Sequence, residues 1–240
     1  LQKYPNITSA VINDINPDLT TCYRVVRDNP DKLISSLKDI QKEYYSIESK
    51  DAKCQFFLLM REMFNKKNLD EIENTTLFFF LNRTCFNGLY RVNSKGQFNS
   101  PIGRTSSGKT PDIVQEKLIL EMSEYLKTVQ FYNTDFQNIT MNAKPGDVFF
   151  FDPPYDTDED IKSDGFVGYQ KEGWTRKDLE ELKMICDELS IRGCKIILTN
   201  NDTEFVRELF KDYNFREIEV KRSINRDGKK RKGKELVIYY

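Results

Sequence analysis

The chain has 240 residues, five cysteines, no histidine and a formal net charge of −1, with 38% of its residues hydrophobic and 31% charged. This length suits one α/β domain with a sizeable insertion or two small domains sharing a core. The missing histidine excludes Ser-His-Asp and Cys-His catalysis, irregularly spaced cysteines without a C-x-x-C pair argue for free thiols and no metal site, and the lack of any run near the ~18 apolar residues of a membrane span, or of a signal peptide, points to a cytoplasmic protein away from membranes.

In chain order, residues 10–12 form a short apolar run with strand character that ends at Asn13-Asp14. Asn16 or Pro17 opens a helix carrying Leu19, Cys22, Tyr23 and Val26 at helical spacing, and Asp28-Asn29-Pro30 stops it. A second helix is predicted over 30–45, with Leu33, Leu37 and Ile40 on one face. From about 49 to 125 the composition shifts. A helix carries Phe56, Phe57, Leu59, Met60 and Phe64, another contains Phe78 to Leu81, and Asn87-Gly88 and Asn93-Ser94-Lys95-Gly96 then punctuate short β-prone pieces, as in a hairpin. A polar loop over 103–111 precedes a helix over 113–126.

After Phe131 strands and helices alternate. Phe131-Tyr132 is a short strand followed by Asp135-Phe136, and 148–151 reads as a buried strand. An amphipathic helix over 175–191 turns Leu179, Leu182, Ile185, Cys186 and Leu189 inward. A strand over 195–199, a helix over 204–213, a strand over 215–220 and a last strand over 235–239, antiparallel to its neighbour, complete the pattern. Such alternation predicts a largely parallel sheet covered on both faces. Charge is uneven: 222–234 holds seven basic residues against one acidic, suited to a phosphate backbone but equally to a solvated hairpin.

The segment richest in chemistry is Asp152-Pro153-Pro154-Tyr155, directly after the strand Val148-Phe149-Phe150-Phe151. Ligands of open α/β sheets bind at the carboxyl ends of strands. An exocyclic amine is a poor nucleophile, because its lone pair is delocalised into the ring. Two acceptors aimed at its N–H groups localise that pair. The Asp152 carboxylate supplies one and the Pro153 carbonyl the other, on a loop that prolines stiffen and strip of donors. Tyr155 offers an aromatic wall to a flipped base. A proline-rich turn with Asp152 as a cap gives the same residues a purely structural role.

This string resembles the Asp/Asn/Ser-Pro-Pro-Tyr/Phe motif of the amino-methyltransferases, and its aspartate resembles the adenine N6 class. The resemblance runs in order along nearly the whole chain. Asn13-Asp14-Ile15-Asn16-Pro17-Asp18-Leu19 is similar to the acidic motif after the second strand of Dam-type DNA adenine methylases. Phe86-Asn87-Gly88-Leu89-Tyr90-Arg91-Val92-Asn93 and Gly96-Gln97-Phe98-Asn99-Ser100-Pro101-Ile102-Gly103-Arg104 resemble their DNA-recognition hairpin, and 222–236 resembles their tail.

The resemblance implies a Rossmann-like methyltransferase sheet formed by 1–46 and 128–240, with a mainly helical recognition domain over 47–127 that carries a β-hairpin. It implies S-adenosylmethionine as methyl donor, leaving S-adenosylhomocysteine, and double-stranded DNA as substrate of a bacterial or phage enzyme; with no heptads and no oligomer stripe in the sequence, a monomer is expected. Asp14 would hold the ribose hydroxyls, Ile15 would pack on the cofactor's adenine, Asp135 and Phe136 would line its other edge, and Asp152 would border it. Phe86, Asn87, Leu89, Arg91, Pro101 and Arg104 would face the DNA, with Arg91 reading guanine within GATC. Arg226, Lys229, Lys230 and Arg231 would contact phosphates. The family's Phe-x-Gly-x-Gly loop is expected before Leu1 and is not in this sequence, which gives one alternative, an inactive DNA-binding fragment; the other alternative is an amine methylase acting on cytosine N4 or RNA.

Overall fold

The computed structural model describes residues 7–103, 111–157, 174–221 and 232–240. The chain forms two compact units, Leu1–Phe136 and Gln137–Tyr240. Together the described residues make an α/β protein with eight α-helices and two sheets.

In the first unit, β1 (Ala10–Asn13) pairs in parallel with β2 (Val129–Tyr132), Ala10 opposite Val129. Five helices lie between them: α1 (Pro17–Asp28), α2 (Pro30–Ser46), α3 (Lys50–Lys66), α4 (Glu71–Thr84) and α5 (Glu116–Leu126). Their ends follow local chemistry. Asn16 caps α1 by accepting from the Asp18 N–H, and Pro17 occupies the first turn, where its missing N–H costs nothing. Asp70 and Glu73 form a reciprocal capping box on α4. Helix α5 begins later than the predicted 113, and Ile113 and Val114 are buried ahead of it. Leu33, Leu37, Phe57, Phe64, Phe80 and Leu81 are each at most 1% exposed and form the centre of the core. Full burial of each such side chain stabilises by roughly 1.5–3 kcal/mol. Leu59, expected on the apolar face of α3, is 51% exposed.

The predicted hairpin takes the form of two isolated antiparallel bridges, Cys85 to Ile102 and Val92 to Phe98, closed by a turn at Asn93–Gly96. The arms are tied by the Asn93 N–H to the Gln97 carbonyl and the Asn99 N–H to the Arg91 carbonyl, each at 2.9 Å, and helix α3 holds the outer side of the second arm. Asn65 donates to the Phe98 carbonyl at 2.9 Å and accepts from the Phe98 N–H at 2.8 Å, and Arg61 donates to the Ser100 carbonyl at 3.3 Å. Gly103 lies so close to the other arm that a Cβ there would sit 2.7 Å from the Cys85 carbonyl oxygen.

The second unit holds β3 (Val148–Phe151), β4 (Lys195–Asn201), β5 (Asn214–Lys221) and β6 (Lys232–Tyr239) in the order β3-β4-β6-β5, after the short helix α6 (Phe136–Thr140) that begins at the unit boundary. Only β3 and β4 are parallel, since β6 inserts antiparallel to both β4 and β5. The sheet is therefore mixed and not largely parallel. Helix α7 (Arg176–Ile191), opened by a Thr175–Asp178 capping box, and the short α8 (Glu204–Leu209) accompany it. Leu179, Leu182, Cys186 and Leu189 of α7 are buried, as are Ile196, Leu198, Leu236 and Ile238 of the sheet.

The strand 148–151 is not buried as predicted: Val148 is 63% and Phe150 64% exposed. Among the described residues it stands at one end of this sheet's order, and Val148 and Phe150 share one face of it. A short apolar run does not by itself tell which faces of a strand are covered. All five cysteines are free thiols. Among the described residues no helix is long and apolar enough to cross a membrane, and no group of His, Cys, Asp or Glu is arranged to hold a metal.

Candidate active site

In the second unit the motif leaves the carboxyl end of β3. The parallel register that sets Phe151 opposite Leu198 brings the next residue of each strand together. Thr199 donates its hydroxyl to Asp152 Oδ1 at 2.5 Å, fixing the torsion of a carboxylate that remains exposed to solvent. Burial pushes the Tyr155 phenol up to about 12, an effect that Thr199 partly offsets, so its hydroxyl stays neutral at physiological pH.

The residue after the motif, Asp156, is held through both its side chain and its backbone. The Asp156 side chain is only 5% exposed and accepts from Arg176 Nε at 2.8 Å and Nη2 at 3.2 Å, and from the Thr203 hydroxyl at 2.7 Å. Its backbone N–H donates to Asn200 Oδ1 at 2.8 Å and its carbonyl accepts from Asn201 Nδ2 at 2.6 Å. Arg176 also lies over the Phe205 ring, 4.5 Å from the centroid. The loop from Asp152 to Asp156 is thus templated at both ends by the carboxyl end of β4.

In the first unit the carboxyl ends of β1 and β2 are stitched by side chains. Asn13 donates to the Thr134 carbonyl at 3.0 Å and accepts from the Thr134 N–H at 3.2 Å, while Asn133 donates to the Asp14 carbonyl at 2.8 Å. This brings Asp14 and Ile15 to the same sheet end as Asp135 and Phe136. The Asn16 N–H donates to Asp14 Oδ1 at 2.7 Å, which turns the carboxylate at the start of α1. Burial lifts the Asp14 carboxyl above the usual carboxylate range, and the Asn16 bond opposes that rise. Ile15 is half exposed and Asp135 is exposed.

Elsewhere in that unit, Phe86, Asn87 and Gly88 form a 3-10 turn with Asn87 at φ 54° and Gly88 at φ 64°, so Phe86 projects at 42% exposure beside the exposed Asn87. Pro101 is exposed and its carbonyl accepts from the Phe86 N–H at 2.9 Å; Leu89 is half-buried. Arg91 donates from Nε to Asn99 Oδ1 at 2.8 Å. The next aromatic, Tyr90, packs among Phe78 and Phe98 and donates to Asp18 at 3.5 Å, and Asp18 also accepts from Lys67 Nζ at 2.5 Å. Arg104, Arg226, Lys229, Lys230 and Arg231 lie outside the described residues.

The family model for D12 class N6 adenine-specific DNA methyltransferases matches residues 2–224. The chain belongs to this family. It is 37% identical over 235 residues to the Type II methyltransferase M.MjaIII of Methanocaldococcus jannaschii, covering 97% of this chain and 79% of that protein. It is 36% identical to the Type II methyltransferase M1.LlaDCHI of Lactococcus lactis subsp. cremoris, covering 89% of this chain and 72% of the relative. To the DNA adenine methylase of Haemophilus influenzae it is 30% identical, over 98% of this chain and 79% of the relative. The match to the D12 class embraces every strand-end residue above, from Asp14 to Tyr155.

For a D12 class chain, the residues that sequence reasoning missed are those that hold the motif. Thr199, Asn200, Asn201, Thr203 and Arg176 carry no motif of their own. The available signal was the run Thr199-Asn200-Asn201, three hydrogen-bonding residues at the end of the apolar strand Ile196-Ile197-Leu198, where side chains meet the mouth of a parallel pair. Asp156 opens the acidic run Asp156-Thr157-Asp158-Glu159-Asp160, which gives no sign of its partners.

Proposed function

We propose that the chain transfers a methyl group from S-adenosylmethionine to N6 of adenine in duplex DNA, within GATC. The observation that carries this reading is Asp152, exposed at the carboxyl end of β3, oriented by Thr199 and followed by Pro153, Pro154 and Tyr155. We assign 1–46 and 128–240 to a Rossmann-like catalytic domain and 47–127 to target recognition.

The strand ends of the first unit fit the cofactor's nucleoside end: Asp14 offers a carboxylate to ribose hydroxyls, and the half-exposed Ile15 offers an apolar surface to a purine. When bound, the cofactor supplies an electrophilic methyl group. The chain's own residues prepare the amine. Asp152 accepts one amino N–H, the Pro153 carbonyl accepts the other, and Tyr155 stacks on the base, which reaches the pocket only by leaving the duplex. With the cofactor bound as methyl donor, the amine nitrogen would become cationic on accepting the methyl group, and the Asp152 carboxylate would favour that charge and take the proton released.

For recognition, Arg91 reads one guanine through two hydrogen bonds, Leu89 and Pro101 pack on a thymine methyl, and Phe86 with Asn87 occupies the space that the flipped base vacates. Arg104 and the basic segment with Arg226, Lys229, Lys230 and Arg231 contact phosphates. The experiment is to incubate mixed-sequence DNA with the protein and cofactor and map N6-methyladenine by sequencing. Modification centred on GATC is expected. A motif lacking GAT would overturn the site assignment, and methyl transfer to RNA or cytosine would overturn the substrate.

A further inference from the structure

We infer that Asn99 is a specificity-positioning residue: it occupies one edge of the Arg91 guanidinium and thereby presents the other edge to guanine. The inference rests on the proposal above that Arg91 reads guanine, and adds which face of it does so and what holds that face.

A guanidinium carries two edges, each with a parallel pair of N–H groups at the spacing that suits two acceptors. Nε and Nη2 form one edge; Nη1 and the second Nη2 hydrogen form the other. Asn99 takes the first completely, since Nε donates to its Oδ1 at 2.8 Å and Nη2 donates to its backbone carbonyl at 3.2 Å. A third bond, from the Asn99 N–H to the Arg91 carbonyl at 2.9 Å, ties the two backbones. The edge that Asn99 does not use has the donor spacing required by guanine O6 and N7.

Asn99 can serve as an anchor because its neighbours are fixed. Phe98 is 3% exposed and clamped through both backbone groups by Asn65. Ser100 is fully buried, with its hydroxyl donating to the Leu89 carbonyl at 2.5 Å and its own carbonyl accepting from Arg61. An arginine held this way has already lost much of the rotamer freedom that a mobile side chain surrenders on binding. A mobile arginine would also pair with phosphates, which discriminate nothing.

The test measures kcat/KM on a GATC duplex against duplexes in which each guanine is replaced, for the wild type, Arg91→Ala, Asn99→Ala, Asn99→Leu and Asn99→Asp. Leucine keeps the volume without an acceptor, and aspartate keeps the acceptor. Asn99→Ala and Asn99→Leu are expected to lower discrimination at the guanine that Arg91→Ala identifies, by about fivefold or more, with kcat on the cognate duplex little changed. Asn99→Asp is expected to restore the discrimination. If Arg91→Ala collapses discrimination while Asn99→Ala and Asn99→Leu preserve it, this inference alone falls. If Arg91→Ala changes nothing, the assignment of guanine reading to Arg91 falls with it.

Discussion

The Thr199 hydroxyl donates to Asp152 Oδ1 across the parallel pair β3–β4, joining the first residue of the Asp-Pro-Pro-Tyr segment to a side chain 47 positions away. If that bond aims the carboxylate, Thr199→Val lowers kcat by about tenfold with little change in the cofactor dissociation constant, and Thr199→Ser restores it. Asp152→Ala loses on the order of hundredfold or more, as expected for a catalytic acceptor. Single-turnover methylation of a cognate duplex measures both, and near-normal turnover of Asp152→Ala would overturn its role.

Tyr155 acts through its ring. Tyr155→Phe retains most activity, while Tyr155→Ala loses roughly 1–3 kcal/mol of base stacking. A fluorescent base analogue at the target position, read alongside kcat, separates the two variants. Equal loss in both would transfer the role to the hydroxyl.

The Asp156–Arg176 pair is structural. Arg176→Ala leaves a carboxylate that is 5% exposed without its cation. Breaking a fully buried pair costs roughly 3–5 kcal/mol. Arg176 is 34% exposed and Thr203 still donates, so the expected cost is about 2 kcal/mol in a urea titration. A loss below about 0.5 kcal/mol would show that the clamp does not hold the loop.

Alkaline pH should destabilise the protein through its tyrosines. Burial raises Tyr90 and Tyr155 to about 12 from an ordinary value of 10.0. A folded-state pKa above the unfolded one means a contribution fully present below pH 10.0 and lost as pH rises through about 12. Urea midpoints across that window should fall, and Tyr90→Phe should flatten the fall. An unchanged slope in the variant would place the titration elsewhere.

Neutralising Arg226, Lys229, Lys230 and Arg231 together should weaken binding to all DNA sequences alike and reduce the slope of log affinity against log salt. Fluorescence anisotropy over a salt series measures this. Lost discrimination with an unchanged slope would assign these residues to base reading.

Much of the candidate site is legible in the chain because its signals are local. Asn16-Pro17 and Asp28-Asn29-Pro30 bound α1, and the periodic apolar residues of α2 and α7 mark their buried faces, since capping and helical spacing act within a few residues. Asp152-Pro153-Pro154-Tyr155 is one contiguous string, so its chemistry could be read before any fold was known. Tertiary structure alone decided what depends on pairing between distant segments. Four apolar residues at 148–151 spell a strand, but the structure leaves the face that carries Val148 and Phe150 exposed. The insertion of β6 between β4 and β5 makes the sheet mixed. Asn65 stands in for a strand partner of Phe98, and Thr199, Thr203 and Arg176 converge on Asp152 and Asp156. A hydroxyl or an amide gives no periodic or compositional signal of its eventual partner. That partner is selected when the backbone folds and each buried donor must find an acceptor.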